Sequence, residues 1–214
     1  MSITRVKFCG MTRARDVEAA VLIGANAVGF VCYEESPRFV APADLRELTR
    51  VLPPFVTPVL LFVNADAAAV ARALEAAPTA LLQFHGDETA ADCARFSRPY
   101  LRAIRMVDEV DLLDCERMYA SAIGLLADTP ADGYGGSGRN FDWGRLPDVS
   151  VRTRPLILAG GLNETNVGGA IAAVRPFAVD VSSGIEESPG IKSVEKMRRF
   201  FAAVRSADLL VQQR

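Results

Sequence analysis

The chain has 214 residues, 50% of them hydrophobic and 23% charged, with 16 glycines, 12 prolines and a formal net charge of −2. That is ample for one large packed core, and a near-neutral chain without a basic run is a poor match for nucleic acid. There is no run of ~18 apolar residues to span a membrane and no signal-peptide core, and the four cysteines form no CxxC pair beside the single histidine, His85; the expectation is a soluble, cytoplasmic protein without metal, disulfide framework, nucleic-acid partner or membrane partner.

Strand-like and helix-like segments alternate from end to end. A first strand is predicted at Val6–Phe8 and a helix over Arg13–Ile23, then a second strand at Ala27–Val31 leading into a loop with Ser36-Pro37-Arg38. Strands three and four fall at Val59–Val63 and Ala80–Phe84, separated by a helix over Ala67–Ala76 that Asp66 is placed to cap. Further strands are read at Tyr100–Met106, Ala122–Leu126, Pro155–Ala159 and Phe177–Val181, and a last helix over Val194–Val204. Asn163, three residues before Asn166, and Ser193 are further capping candidates. Eight strands alternating with helices, with no break in composition, argue for an α/β chain folded as a single-domain (β/α)8 TIM barrel over residues 1–214. An open doubly wound sheet is the competing fold.

Two glycine turns stand out. Ala159-Gly160-Gly161-Leu162-Asn163 follows the seventh strand, and Ser182-Ser183-Gly184-Ile185-Glu186 follows the eighth. A strand that ends in glycine and enters a helix leaves bare backbone N–H groups at a positive helix terminus, which suits a phosphate. Two such turns in the last βα units are where a barrel holds a phosphate; Gly160, Gly161, Ser183 and Gly184 are the candidates. The stretch Thr129–Asn140 after strand six is read as a ligand-covering loop, and Trp143 as a packing residue at the start of the sixth helix.

The ends of the strands supply the chemistry. Cys9 ends the first strand and Asp128 the sixth; Gln83 and His85 share one face of the fourth, and Asp180 and Ser182 one face of the eighth. If Cys9 points inward, so does Lys7, and a buried lysine needs an anion, for which Asp180 is the candidate. A thiol and a carboxyl group at one mouth, beside a phosphate anchor, make an acid–base pair around a sugar phosphate. Cysteine serves as a base if its pKa of about 8.5 is lowered or its target proton is acidified. Aspartate is harder to use as an acid, since an ordinary carboxyl is protonated about one time in a thousand at pH 7. His85 and Gln83 are read as hydrogen-bonding residues that line the ligand, and Cys32, Cys93 and Cys115 as packing residues.

The ordered set Lys7-Phe8-Cys9-Gly10-Met11-Thr12, Ser36-Pro37-Arg38, Leu82-Gln83-Phe84-His85-Gly86, Leu126-Ala127-Asp128, Tyr134-Gly135-Gly136-Ser137-Gly138, Leu158-Ala159-Gly160-Gly161-Leu162 and Asp180-Val181-Ser182-Ser183-Gly184 resembles the phosphoribosylanthranilate isomerase family of tryptophan biosynthesis. The resemblance runs from residue 5 to about 205 and implies a cofactor-free Amadori rearrangement of a phosphorylated small molecule, with Asp128 as the acid and Cys9 as the base. It further implies that Arg38 holds the anthranilate end, that Gln83, His85 and Asp180 bind substrate, and that the two glycine turns hold the phosphate; the protein would act as a monomer or homodimer. Cys32 and Ala127 depart from the family's usual residues without touching those positions. The alternatives are an aminoaldose isomerase of histidine biosynthesis, which normally uses two aspartates where Cys9 stands here, an indole-3-glycerol-phosphate synthase, which lacks its lysine acid and N-terminal extension here, and a non-catalytic phosphate-ligand receptor.

Overall fold

Side chains that alternate in and out along eight short strands generate the architecture. In the computed structural model, which describes residues 3–129 and 141–212, the strands are β1 (Arg5–Phe8), β2 (Ala27–Val31), β3 (Thr57–Phe62), β4 (Leu81–Phe84), β5 (Tyr100–Arg105), β6 (Gly124–Asp128), β7 (Leu156–Leu158) and β8 (Ala178–Val181). Each is parallel to the next and β8 pairs with β1, so the sheet closes into the expected barrel in chain order. The helices around it are α1 (Ala14–Ile23), α2 (Pro42–Arg50), α3 (Ala67–Ala76), α4 (Ala90–Ala94), α5 (Leu112–Met118), α6 (Val167–Val174) and α7 (Val194–Gln212). None of the described helices is long and apolar enough to cross a membrane.

One face of every strand serves the outer core. Val6, Phe8, Phe30, Leu60, Phe62 and Leu82 are buried under the helices, where each large side chain contributes about 1.5–3 kcal/mol. Phe8 meets Phe200 of α7 edge-on at 6.2 Å. The other face fills the barrel: Leu101, Ala103, Leu126, Ile157, Ala159 and Ala178 form a second, smaller apolar cluster.

Some local expectations change. β6 begins and ends two residues later than the apolar run, because its ladder with β5 runs from the Leu101/Gly124 pair to the Arg105/Asp128 pair. Trp143 starts a short 3-10 turn, Trp143–Arg145, rather than an α-helix, and packs half-buried against the outer core. Asp66 caps α3 as expected, accepting from the Ala69 amide at 2.6 Å. Asn163 does not cap α6: its Oδ1 accepts from Thr165 N–H, and its own N–H donates to Asn166 Oδ1. An unforeseen antiparallel hairpin, β9 (Glu186–Ser188) and β10 (Ile191–Lys192), stands between β8 and α7. Apart from Thr129, the expected covering loop lies outside the described residues.

The last helix is tied to the first strand by a buried carboxylate. Asp208 accepts from the Thr4 hydroxyl at 2.6 Å and the Thr4 amide at 3.1 Å, and Arg205 adds a charged donor at 3.2 Å. Asp208→Ala leaves those donors unsatisfied beside the β1–β8 closure. It should cost about 1–3 kcal/mol, read as a lower urea midpoint with an unchanged slope.

Candidate active site

Toward the C-terminal ends of the strands the barrel interior turns from apolar to polar. Lys7 and Asp180 are register partners across β1 and β8. Lys7 Nζ donates to both Asp180 carboxylate oxygens at 2.9 Å, and both side chains are buried, so the expected pair is present. Burial works to lower the Lys7 pKa, but Asp180 and Cys9 outweigh it and hold the ammonium above the ordinary lysine value.

Cys9 lies one inward step above Lys7 and is 5% exposed. Burial pushes its thiol up, the Lys7 ammonium pulls it down and Asp180 pushes it up; the balance lies above the ordinary cysteine value. The space for the thiol and ammonium comes from β2, where a Cβ on Gly29 would stand 2.6 Å from Cys9 Sγ and 3.0 Å from Lys7 Nζ. Cys32 has no such cation; burial alone pushes it up to about 12. It therefore remains a protonated packing residue at neutral pH.

Asp128 has a polar neighbour at each oxygen. Oδ1 accepts from the Thr129 amide at 2.8 Å, and Oδ2 lies 2.9 Å from His85 Nε2. Gln83 Nε2 lies 3.1 Å from His85 Nδ1. Arg38 forms a two-pronged pair with Glu186 through Nε and Nη2, at 2.8 and 2.6 Å, and among the described residues its Nη1 takes no part in that pair. Glu186 also takes a bond from Lys192 Nζ at 2.7 Å. Burial would raise Glu186, but Arg38 and Lys192 hold its carboxyl below the usual value.

The two glycine turns differ from the expected form, since neither runs directly into an α-helix: α6 begins at Val167, and the hairpin precedes α7. Gly160 and Gly161 both have left-handed backbone, at φ 83° and 61°, a conformation that favours glycine. Asn166 Nδ2 braces their turn by donating to the Gly161 carbonyl at 3.0 Å. Gly184 packs so closely on the Leu162 carbonyl that no side chain could stand there.

A cavity of about 110 Å³ gathers these groups. Cys9, Arg38, Gln83, His85, Asp128 and Asp180 line it, as do Gly160, Gly161 and Ser183. Gly184 is not on the lining; it holds one turn against the other. Sequence reasoning missed Glu186 and Lys192 as partners of the site, although the Ser188-Pro189-Gly190 turn signal between them marks a hairpin. It also missed that His85 touches Asp128, a contact between strands that no local spacing reveals.

These features define a (β/α)8 barrel whose C-terminal mouth holds a polar cavity with a thiol and a carboxyl group on its wall. The profile of the N-(5′-phosphoribosyl)anthranilate (PRA) isomerase family matches residues 6–203. The chain is 54% identical over 208 residues to the N-(5′-phosphoribosyl)anthranilate isomerase of Methylibium petroleiphilum, covering 97% of each. It superimposes on the crystal structure of phosphoribosyl anthranilate isomerase from Thermotoga maritima with a TM-score of 0.87 and 38% identity, covering 95% of this chain and 99% of that one. A phosphoribosyl anthranilate isomerase in complex with reduced 1-(o-carboxyphenylamino)-1-deoxyribulose 5-phosphate gives a TM-score of 0.81 at 34% identity, with the same coverage. The chain belongs to the PRA isomerase family.

The Lys7–Cys9 contact makes a two-sided prediction. Lys7→Met removes the cation that favours the thiolate, so alkylation of Cys9 at pH 8 should slow by about tenfold per unit of upward shift. Asp180→Asn removes the opposing anion and should speed it. Peptide-level mass spectrometry separates Cys9 from the other thiols.

Proposed function

We infer that the protein converts N-(5-phosphoribosyl)anthranilate to 1-(2-carboxyphenylamino)-1-deoxyribulose 5-phosphate, the Amadori rearrangement of L-tryptophan biosynthesis. The observation that carries the reading is the meeting of Cys9 and Asp128 on one cavity with the Gly160–Gly161 and Ser183 turns, in a chain of the PRA isomerase family. Residues 1–214 are taken as one barrel domain of the cytoplasm.

In this reading Asp128 donates a proton to the furanose ring oxygen. The C1′–O4′ bond breaks while the nitrogen lone pair forms an iminium. The iminium acidifies the C2′ hydrogen, so the Cys9 thiolate can remove it and leave an enolamine. That species takes a proton at C1′ and loses one from the 2′-hydroxyl as the ketone forms. Hydrogen moves within one molecule, so the reaction requires no redox cofactor.

Burial sets the demand on Cys9, and the acidified proton meets it: a thiol above its ordinary pKa is a scarce thiolate but a strong base once formed. Arg38 would hold the anthranilate carboxylate through Nη1 while Glu186 fixes its plane. Backbone N–H groups at Gly160, Gly161 and Ser183 would hold the phosphate, with Gly184 supporting them, and Gln83, His85 and Asp180 would complete the substrate site. Anchoring both substrate ends aligns the reacting carbons between acid and base. All these residues come from one chain, which fits a monomer or a homodimer alike.

Turnover of freshly generated phosphoribosylanthranilate, followed by loss of its fluorescence, tests the reading. The wild type should turn over, and Cys9→Ser and Asp128→Asn should each fall by about 10²–10⁴-fold in kcat. A wild type that binds the compound without converting it would make the barrel a receptor instead.

A further inference from the structure

We propose that Gln83, His85 and Asp128 form a proton-holding row, in which His85 is a positioning residue that stores the proton Asp128 delivers. The proposal rests on the isomerase reading for the destination of that proton, the ring oxygen, but the row itself is a matter of geometry. Three side chains from β4, its C-terminal extension and β6 stand in line at 3.1 and 2.9 Å.

The row answers a delivery problem. A carboxyl that gives up its proton inside a cavity must regain one, and among the described residues the imidazole is the titratable group within hydrogen-bond distance of Asp128. Asp128 Oδ1 accepts from the Thr129 amide, and Oδ2 faces the imidazole Nε2. A proton on the imidazole can cross the short bond as His85 Nε2–H breaks and Asp128 Oδ2–H forms. The carboxyl then gives a proton to the ring oxygen as that oxygen leaves C1′, and the imidazole is reprotonated from solvent.

Gln83 makes both protonation states of His85 tolerable. Its Nε2 faces His85 Nδ1, which suits a neutral ring that carries its hydrogen on Nε2. Its Oε1 is buried and, among the described residues, has no partner. A half-turn of the amide would aim that oxygen at an Nδ1–H, which suits the protonated ring. An apolar or singly functional residue at position 83 would serve only one state.

The imidazole is held in place from outside the barrel. His85 N–H donates to the Phe62 carbonyl at 2.9 Å. Arg102 donates to the Phe84 and Gly86 carbonyls at 3.0 and 2.9 Å, and Glu88 accepts from Gly86 N–H at 2.8 Å. The backbone is therefore pinned on both sides of residue 85.

Other titratable groups face the same space. On the described cavity wall they are Cys9 from β1, Tyr33 and Arg38 after β2, Asp128 from β6 and Asp180 from β8; β3 and β7 contribute apolar side chains and backbone. Arg105 of β5 is the register partner of Asp128, and Lys7, Glu186 and Lys192 lie behind the wall. Asp128 is the group within hydrogen-bond distance of the imidazole, so it is the group to remove.

Because His85 is the chain's single histidine, one set of ¹⁵N imidazole signals reports on it without assignment. The experiment follows those signals against pH in the wild type and Asp128→Asn. It then compares pH profiles of kcat for the wild type, His85→Asn and Gln83→Leu. Removing Asp128 should displace the imidazole titration curve by about one pH unit or more, the mark of coupled sites. His85→Asn should lower kcat by about 10²-fold, a larger change than in KM, and bring the alkaline fall in kcat to lower pH. Gln83→Leu should do the same to a lesser degree. An imidazole curve unmoved by Asp128→Asn, or a His85→Asn profile parallel to the wild type, would overturn the proposal. The NMR arm uses no His85 variant, so it decides the matter even if that variant misfolds. A wild type inactive on phosphoribosylanthranilate would defeat the assigned reaction while the NMR arm still judges the row.

Discussion

Where β8 meets β1, a lysine and an aspartate face each other inside the barrel, and each holds the other in place. Removing one would strand the other's charge in the interior, at a cost of about 3–5 kcal/mol. The period-two rule then dictates what lies above them: one step toward the mouth from Lys7 is Cys9, and one step from Asp180 is Ser182. The ion pair that spans the closing seam is therefore also the electrostatic floor of the cavity. Stability and chemistry draw on the same two charges.

That floor sets the electrostatic surroundings of the buried thiol above it. Desolvation raises Cys9, and the ammonium beneath it works in the opposite direction. A second balance stands at the rim, where Glu186 is shared between Arg38 and Lys192. Arg38 is thereby fixed in orientation without losing its charge.

Much of this was legible in the chain. Strand positions followed from apolar runs with turn signals, and β2 and α3 fall where the pattern put them. Alternation alone put Lys7 on one face with Cys9, and Gln83 on one face with His85; the structure turns both faces inward. What stayed hidden depended on distance in sequence. The β9–β10 hairpin is too short to show periodicity, and Glu186 gains meaning only because Arg38 arrives beside it from 148 residues away. The His85–Asp128 contact spans 43 residues and depends on barrel curvature, which strand spacing does not encode. Local rules place a side chain on a face; closure of the sheet decides which face it meets.

The contact between Gly184 and the Leu162 carbonyl has a dynamic meaning. Two loops that touch backbone to backbone cannot splay apart independently, so the space between them is shaped before any ligand arrives. The entropy of ordering these loops is then lost during folding rather than during binding. A cradle made of main chain and fixed in advance also recognises shape more than charge, and it leaves the flanking side chains at liberty to vary while the peptide planes stay where they are.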